Sequence, residues 1–311
     1  MPEIGLYYYT LGITVGIWMI LVMGQNIITG YAGQISLGHA AFFGVGAYAS
    51  AVLSTAHGVV FWLALPASVL ITSVVGALLG SVSLRLRHDF LAITTIGINF
   101  VVVSVFLYSE SFGGSLVIGG IPLPRAMGVV FTKPLYLGLV MAALGLAAAA
   151  DRLLKRSWLG LSLEAIREEE TAAAAAGLHV SALKITAFAL GTGYAGLAGS
   201  LYAHFMTFIS PHDFGFPVSI TILCMAVLGG LGTLRGALVG ALLLGLAPEL
   251  FRFLRDYRML TYGALLVLLM RYLPSGLLGD ASPLWQRLIT RTRGVVRGGV
   301  AYGGAVDPPG L

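Results

Sequence analysis

Between Ile4 and Leu84 the chain carries no Asp, Glu, Lys or Arg, a charge-free run of 81 residues. About 20 apolar residues cross the hydrocarbon core of a bilayer as a helix, so this run alone has room for three spans. A water-soluble globule is excluded: such domains carry about 25% charged residues, whereas here 18 basic and 13 acidic side chains are spread over 311 residues, 58% of them hydrophobic. The segments are continuously apolar over about 20 residues, where barrel strands would alternate over about 10. The fold class that follows is all-α, a polytopic membrane helical bundle.

Charge-free windows bounded by turn residues predict spans near 5–24, 30–53, 60–84, 90–109, 135–150, 184–206, 216–232, 236–250 and 259–273, within a count of about eight to ten. Residues 1–280 then form a transmembrane domain with a long polar loop at 151–184, and 281–311 a tail that is basic at first, then rich in Gly and Pro, and partly disordered. The first Lys or Arg is Arg85. The N-terminal apolar segment therefore lacks the basic start of a secretory signal and is expected to remain as a membrane anchor.

Loop charges set an expected orientation, because Lys and Arg accumulate on the cytoplasmic side. Arg85 and Arg87 form one basic loop; Arg152, Lys155, Arg156, Arg167 and Lys184 mark a second, two spans later. The loop between them, 110–133, holds only Arg125 and Lys133 as bases and is expected to face outward. Counting back puts the N-terminus outside; the tail with Arg287, Arg291, Arg293 and Arg297 belongs inside. Nine spans would place 252–258 outside although it holds three arginines, so either that count is off or Glu249 and Asp256 offset those bases. This clustering suits membrane orientation and gives no reason to expect a nucleic-acid partner.

Cys224 is the single cysteine. It can form no intrachain disulfide or metal cluster and reads as a small buried hydrophobe. The 42 glycines are about twice the average share and crowd 191–199 and 229–240, a sign of close helix packing in lipid. The string Thr29-Gly-Tyr-Ala-Gly33 recurs as Thr192-Gly-Tyr-Ala-Gly196. An internal transporter repeat and shared packing chemistry both account for it.

A transport bundle has no intrinsic need for some thirty polar residues between two spans, so the 151–184 segment is where function is first expected. Its middle, SLEAIREEETAAAAAG at 162–177, has high helix propensity, acids towards its start and a glycine able to end the helix. A short helix, a Gly break and a second helix would present an alanine-rich face to a partner; a helix lying on the membrane surface is the other reading. At membrane depth Asn26, Gln34, Ser36, His39 and Asn99 are the candidates for a translocation pathway, since polar groups left in lipid cost free energy. Residues 34–38, amid Gly30, Gly33, Gly44 and Gly46, could form a broken helix whose free backbone groups meet a polar solute; interhelical hydrogen bonding that merely fixes packing is the alternative. The spans supply no Asp or Glu to relay a proton from His39 or to couple an ion, which counts against a secondary transporter. Arg235 reads as a charge in a cytoplasmic turn or re-entrant loop, with a clamp on a substrate carboxylate as the alternative. No catalytic constellation and no metal-ligand spacing is present, and His204, His212 and Asp213 read as parts of an outward loop.

The string ETAAAAAG at 170–177 resembles the EAA loop of ATP-binding-cassette importer permeases, the helix that docks in a groove of the ATPase subunit. NIITGYAGQISLGHAAFFGVGAYASA at 26–51, the stretch 193–236 ending in VLGGLGTLRG, PELFR at 248–252 and YRMLTY at 257–262 resemble the branched-chain amino acid permease family, its LivM-like branch in particular. The resemblance covers roughly 20–279. Thr171 stands where a Glu is usual, with Glu170 one residue earlier. The resemblance implies a non-enzymatic transport subunit of a bacterial or archaeal plasma (inner) membrane importer. It would work with ABC ATPase subunits, a second related permease and an extracytoplasmic solute-binding protein. Its substrate would be a branched-chain or similar small amino acid, with urea, short amides or other amino acids as the alternative. Docking would fall to Arg167, Glu168, Glu169, Glu170, Ala172, Ala173, Gly177 and Leu178; the outward loop after the sixth span would meet solvent or the binding protein. No cofactor is implied for this chain: it lacks a Gly-x-x-x-x-Gly-Lys-Ser/Thr loop, so ATP and magnesium would sit on the partner subunits.

Overall fold

A computed structural model describes residues 2–83, 88–109, 117–126, 129–250, 263–264, 267–268, 271–272 and 276–279. Helix α1 (Pro2–Gln25) runs into a π-helical turn (Asn26–Tyr31), and an irregular stretch, 32–38, leads to α2 (His39–Thr55). Then come α3 (Phe61–Ser83), α4 (His88–Tyr108) and α5 (Lys133–Arg156), followed by the short α6 (Trp158–Glu168) and α7 (Glu170–Ala175). The long α8 (Val180–Met206), α9 (Phe216–Gly229) and α10 (Leu234–Leu250) complete the described helices. Pro134 and Pro217 sit in the first turns of α5 and α9, where a missing N–H costs nothing.

Among the described residues, five segments are long and apolar enough to cross a membrane: Gly5–Tyr31, Phe61–Ser81, Phe90–Tyr108, Lys133–Arg156 and Pro211–Gly229. The chain is an all-α, multi-pass membrane bundle. Helices α3, α4 and α5 turn an apolar flank outward through Leu70, Val74, Leu78, Ile93, Phe100 and Leu146, the belt that hydrocarbon covers.

Helix α8 lies in the middle, packed on α1, α2 and α3. Its glycines let backbones touch: a Cβ on Gly191 would meet the Gly24 carbonyl at 2.6 Å, and one on Gly199 the Ala47 amide at 2.6 Å. Gly46 and Gly196 face each other closely enough that a Cβ on Gly46 would strike the Gly196 backbone. Around this seam lie Phe42, Phe43, Tyr48, Phe188 and Phe214, with Tyr48 stacked on Phe106 at 4.0 Å. Cys224 is buried and in no disulfide.

The end remote from α6 and α7 is closed by extended chain. Strand β1 (Ile118–Gly119) pairs antiparallel with β4 (Phe208–Ile209), and β2 (Arg125–Ala126) with β3 (Val129–Val130). Trp62 Nε1 donates to the Arg125 carbonyl at 2.9 Å. The loop between α4 and α5 is thus partly built into a cap. His204, expected in an outward loop, is instead fully buried in the last turns of α8; its Nδ1 lies 2.7 Å from the Pro122 carbonyl and its Nε2 3.0 Å from Ser50 Oγ. It ties the cap to α2 and α8. Asp213 accepts from the Ser210 amide in a capping box.

Three other expectations change. The second helix starts at His39, not near residue 30, because 26–31 prolong α1 as a π-turn. The two copies of Thr-Gly-Tyr-Ala-Gly take different conformations, the first mostly in that π-turn and the second inside α8, so the echo is not a repeat of local structure. Asp151, placed by sequence just beyond the fifth span, lies within α5 and is 1% exposed, so the bundle does hold an acid. Arg85, Arg87, the 252–258 segment and residues 281–311 lie outside the described residues.

Gly196→Leu is expected to force α3 and α8 apart, because a Cβ at Gly196 already meets Thr72 and the Ser68 carbonyl. Overpacking of this kind costs about 1–3 kcal/mol, so the variant should unfold at a lower temperature than wild type in the same detergent, as read by a thermal melt of the purified chain.

Candidate functional site

The site begins where α1 stops being an α-helix. In the π-turn the Ala32 amide reaches back to the Ile27 carbonyl (3.3 Å), and the Gln34 amide to that of Ile28 (3.0 Å). Side chains hold what the backbone gives up. Gln25 Nε2 donates to Thr29 Oγ1 (2.9 Å) and to the Ser36 carbonyl (2.8 Å), while the Thr29 hydroxyl donates to the Gln34 carbonyl (3.0 Å). π-turns cost helix hydrogen-bond quality and concentrate at functional positions.

From this turn two polar regions separate. Towards the middle of the bundle, the Leu37 amide donates to Thr95 Oγ1 (2.9 Å) and the Ala40 amide to Ser219 Oγ (3.0 Å). One turn beyond Thr95, Asn99 Nδ2 donates to the Phe214 carbonyl (3.2 Å). The N-terminus of α2 therefore begins inside the protein, facing α4 and the start of α9. His39 packs against Gly24 of α1. Gln34, Ser36, His39 and Asn99 are all at most 1% exposed, and Gln34 Oε1, Ser36 Oγ, both His39 ring nitrogens and Asn99 Oδ1 lack a hydrogen bond of ordinary geometry. An unmet buried polar group costs about 1–3 kcal/mol, so several together mark a place where a polar solute or water is welcome.

Towards the basic end, Asn26 does something different. Its Oδ1 accepts from the Gly232 amide at 2.8 Å, across 206 residues, pinning the π-turn to the α9–α10 turn. Gly232 takes φ +81, open to glycine without strain. Tyr31 donates to Asp151 Oδ2 (2.8 Å) and Tyr194 to the Ala147 carbonyl (2.9 Å), one turn apart on α5. Lys155 Nζ donates to the Gly232 carbonyl (2.9 Å) and lies over the Tyr31 ring.

The α6–α7 segment packs onto this same junction. Ile27, Tyr31 and Ala32 form a small core with Leu163, Ile166, Ala173, Leu183 and Ala187. Arg167 reaches out of α6 to donate to the Gly30 carbonyl, and its guanidinium also stands beside Gly232. The expected helix over 162–177 is broken at Glu169, which is extended (φ −155) and starts α7. The second stop is Gly177, at φ +88: its amide donates to the Ala174 carbonyl (3.0 Å) and that of Leu178 to Ala173 (3.1 Å), a Schellman closure. Of the expected docking residues, Arg167, Glu168, Glu169, Ala172 and Gly177 are exposed, with Thr171 and Ala174–Ala176 beside them. Ala173 is turned inward, Leu178 packs beside it, and Glu170 pairs with Lys184 Nζ at 2.7 Å. Arg167 spends its charge on the π-turn.

Gln25, Thr29, Tyr31, Thr95, Asp151 and Ser219 belong to these regions and escaped sequence reading. Asp151 had a signal, as an acid at the edge of an apolar run; Thr95 and Ser219 look like any small polar residue in a span. Arg235, expected in a turn, lies at the start of α10, its Nε donating to the Leu278 carbonyl (3.2 Å). Among the described residues no group of three His, Cys, Asp or Glu could hold a metal.

The fold and this geometry define a multi-pass membrane permease with a helical appendage wired to an interior break. The family described as branched-chain amino acid transport system / permease component matches residues 8–270. The chain belongs to that family. It is 35% identical over 293 residues to the high-affinity branched-chain amino acid transport system permease protein LivM of Salmonella typhimurium, covering 86% of this chain and 69% of the relative, and it is equally similar to LivM of Escherichia coli. It is 27% identical to the permease protein BraD of Pseudomonas aeruginosa, over 90% of this chain and 98% of BraD. No solved structure matches.

The Thr171 hydroxyl donates to Glu169 Oε1 at 2.6 Å and holds that carboxyl below its ordinary value of 4.5. A depressed carboxylate supports the folded turn above its unfolded pKa and loses that support as pH falls through the folded one. Thr171→Val should raise the Glu169 titration towards the ordinary value, as followed by carboxyl carbon NMR of the labelled chain.

Proposed function

We propose that this chain is the membrane-spanning subunit of an ATP-binding-cassette importer for branched-chain or similar small amino acids. In this reading it pairs with a second related permease in a bacterial or archaeal inner membrane. An extracytoplasmic binding protein delivers the solute. Separate ATPase subunits, which hold the ATP and magnesium, dock on α6–α7. The chain itself carries no catalytic site and no cofactor. The names of its relatives support the substrate class and the importer class.

The observation that carries the mechanism is the double grip of Arg167 on Gly30 and the neighbourhood of Gly232. Asn26 closes the same two strands of chain against each other. The basic end, with Arg152, Lys155 and Arg156, is cytoplasmic by the distribution of positive charge. Closure of the ATPase subunits would shift α6–α7 as a body. Arg167 would carry that shift to the π-turn and part Asn26 from Gly232, opening the inner side while the bundle rocks. Deeper in, Gln34, Ser36, His39 and Asn99 offer unmet hydrogen-bonding atoms to the zwitterionic end of the solute. The positive end of the α2 dipole favours its carboxylate.

Uptake of radiolabelled leucine into vesicles holding this chain and its co-encoded subunits, with and without ATP, tests the proposal. Arg167→Ala should cut ATP-driven uptake at least tenfold while leaving the ATPase subunits bound. Gly177→Arg should instead weaken their binding, because it forces a bulky cation into a left-handed position on the docking surface. Uptake driven by an ion gradient without ATP would overturn the importer reading. ATP-driven uptake of urea, a short amide or another amino acid in place of leucine would correct the substrate alone.

A further inference from the structure

At the basic end, Arg152, Lys155 and Arg156 of α5 and Arg235 of α10 line one cavity of about 370 Å³, with Thr233 and Leu238. Lys155 and Arg235 are held towards it by the Gly232 and Leu278 carbonyls. The α10 N-terminus adds its positive dipole end. Buried Asp151, bonded to Tyr31, lies close to Lys155. Arg152 and Arg156 bring positive charge to the cavity at a membrane surface.

A second feature continues the first. Further along the same two helices, an apolar groove of about 450 Å³ is lined by Leu137 and Met141 of α5, Leu242 and Leu246 of α10, and Gly16 and Met19 of α1. The α10 residues follow Leu234 and Leu238 at intervals of four, so cavity and groove lie on one stripe. On α5 the stripe from Met141 to Arg152 passes through Gly145 and Ala148. A Cβ on Gly145 meets nothing within 4 Å. Seven residues of α10 separate Arg235 from Leu242 and eleven of α5 separate Met141 from Arg152, so the groove starts about 10–16 Å from the arginines. A fatty acyl chain is long enough to bridge that gap. Exposed Leu153, Trp158 and Leu161 beside the cavity place it at the level of the headgroups.

We infer that the α5–α10 seam binds one anionic phospholipid, its phosphate in the cavity lined by Arg152, Arg156 and Arg235 and an acyl chain along Gly145 towards Met141 and Leu242. Charge at one end and apolar length at the other match that molecule, where a free phosphate would use the cavity alone.

Native mass spectrometry of the full chain purified in mild detergent tests this with dioleoyl phosphatidylglycerol, dioleoyl phosphatidylcholine and glycerol 3-phosphate as probes. One phosphatidylglycerol should be retained in preference to phosphatidylcholine. Each arginine contributes about fivefold at a membrane surface, so Arg152→Gln with Arg156→Gln should weaken retention about thirtyfold. Gly145→Phe, which fills the seam and leaves every cation in place, should weaken it too. Equal retention of the two phospholipids by the wild-type chain overturns the inference whatever the variants do, as does undiminished retention by folded variants. Binding of glycerol 3-phosphate as tight as that of the phospholipid would make the cavity a soluble-phosphate site. Cross-linking from Gly145→Cys to a second permease, with no lipid retained, would assign the seam to protein and equally overturn it.

Discussion

Lipid tails are as apolar as leucine, so nothing squeezes membrane helices together in the way water squeezes a soluble core; contact itself has to hold them. In this protein the contact that organises the rest is backbone on backbone, between α8 and its neighbours α1 and α2. Gly24 meets Gly191, Gly46 meets Gly196, and Gly199 meets the turn from Phe43 to Ala47. Because α8 is held this closely on more than one side, the polar groups of α1 and α2 are carried to fixed depths. His39 lies beside Gly24 for that reason, and His204 meets Ser50 at the opposite end of the same seam.

Against this rigid axis the break after Gln25 stands out as the place where the chain gives up regular hydrogen bonding. Gln25, Thr29 and Asn26 replace what is lost: Gln25 and Thr29 bond to carbonyls of the irregular stretch, and Asn26 to the α9–α10 turn. The break thereby connects three levels of the molecule. Its polar side chains open into the interior, its apolar residues form a core with α6–α7, and its Gly30 carbonyl takes the Arg167 guanidinium. A displacement of α6–α7 cannot leave the π-turn untouched, since the two share both a hydrophobic cluster and a charged hydrogen bond. That is the physical content of the coupling proposed for this chain.

The spans were largely legible because charge is so costly in hydrocarbon that its absence over 4–84 permits little else. Legibility failed where local pattern and packing disagree. Residues 30–38 are apolar enough to begin a helix, but the Gln25 and Thr29 hydrogen bonds hold them open, and α2 starts only at His39. Residues 162–177 have uniform helix propensity, yet Glu169 turns extended so that Ala173 can face Ile27 and Tyr31. In sequence His204 groups with His212 and Asp213 in the outward loop, whereas Pro122 and Ser50 give its ring the two partners that make burial tolerable.

From sequence alone came the class of the molecule, its helical bundle, the polar appendage between α5 and α8 and some of the polar residues of the interior. Each depends on composition within one short window, where the cost of exposing charge or backbone to lipid is decided locally. Which polar atoms face one another was settled only in the tertiary structure. Asn26 and Gly232 are 206 residues apart and Arg167 and Gly30 are 137 apart. No window contains either pair, and the approach that joins them depends on glycine contacts between other helices.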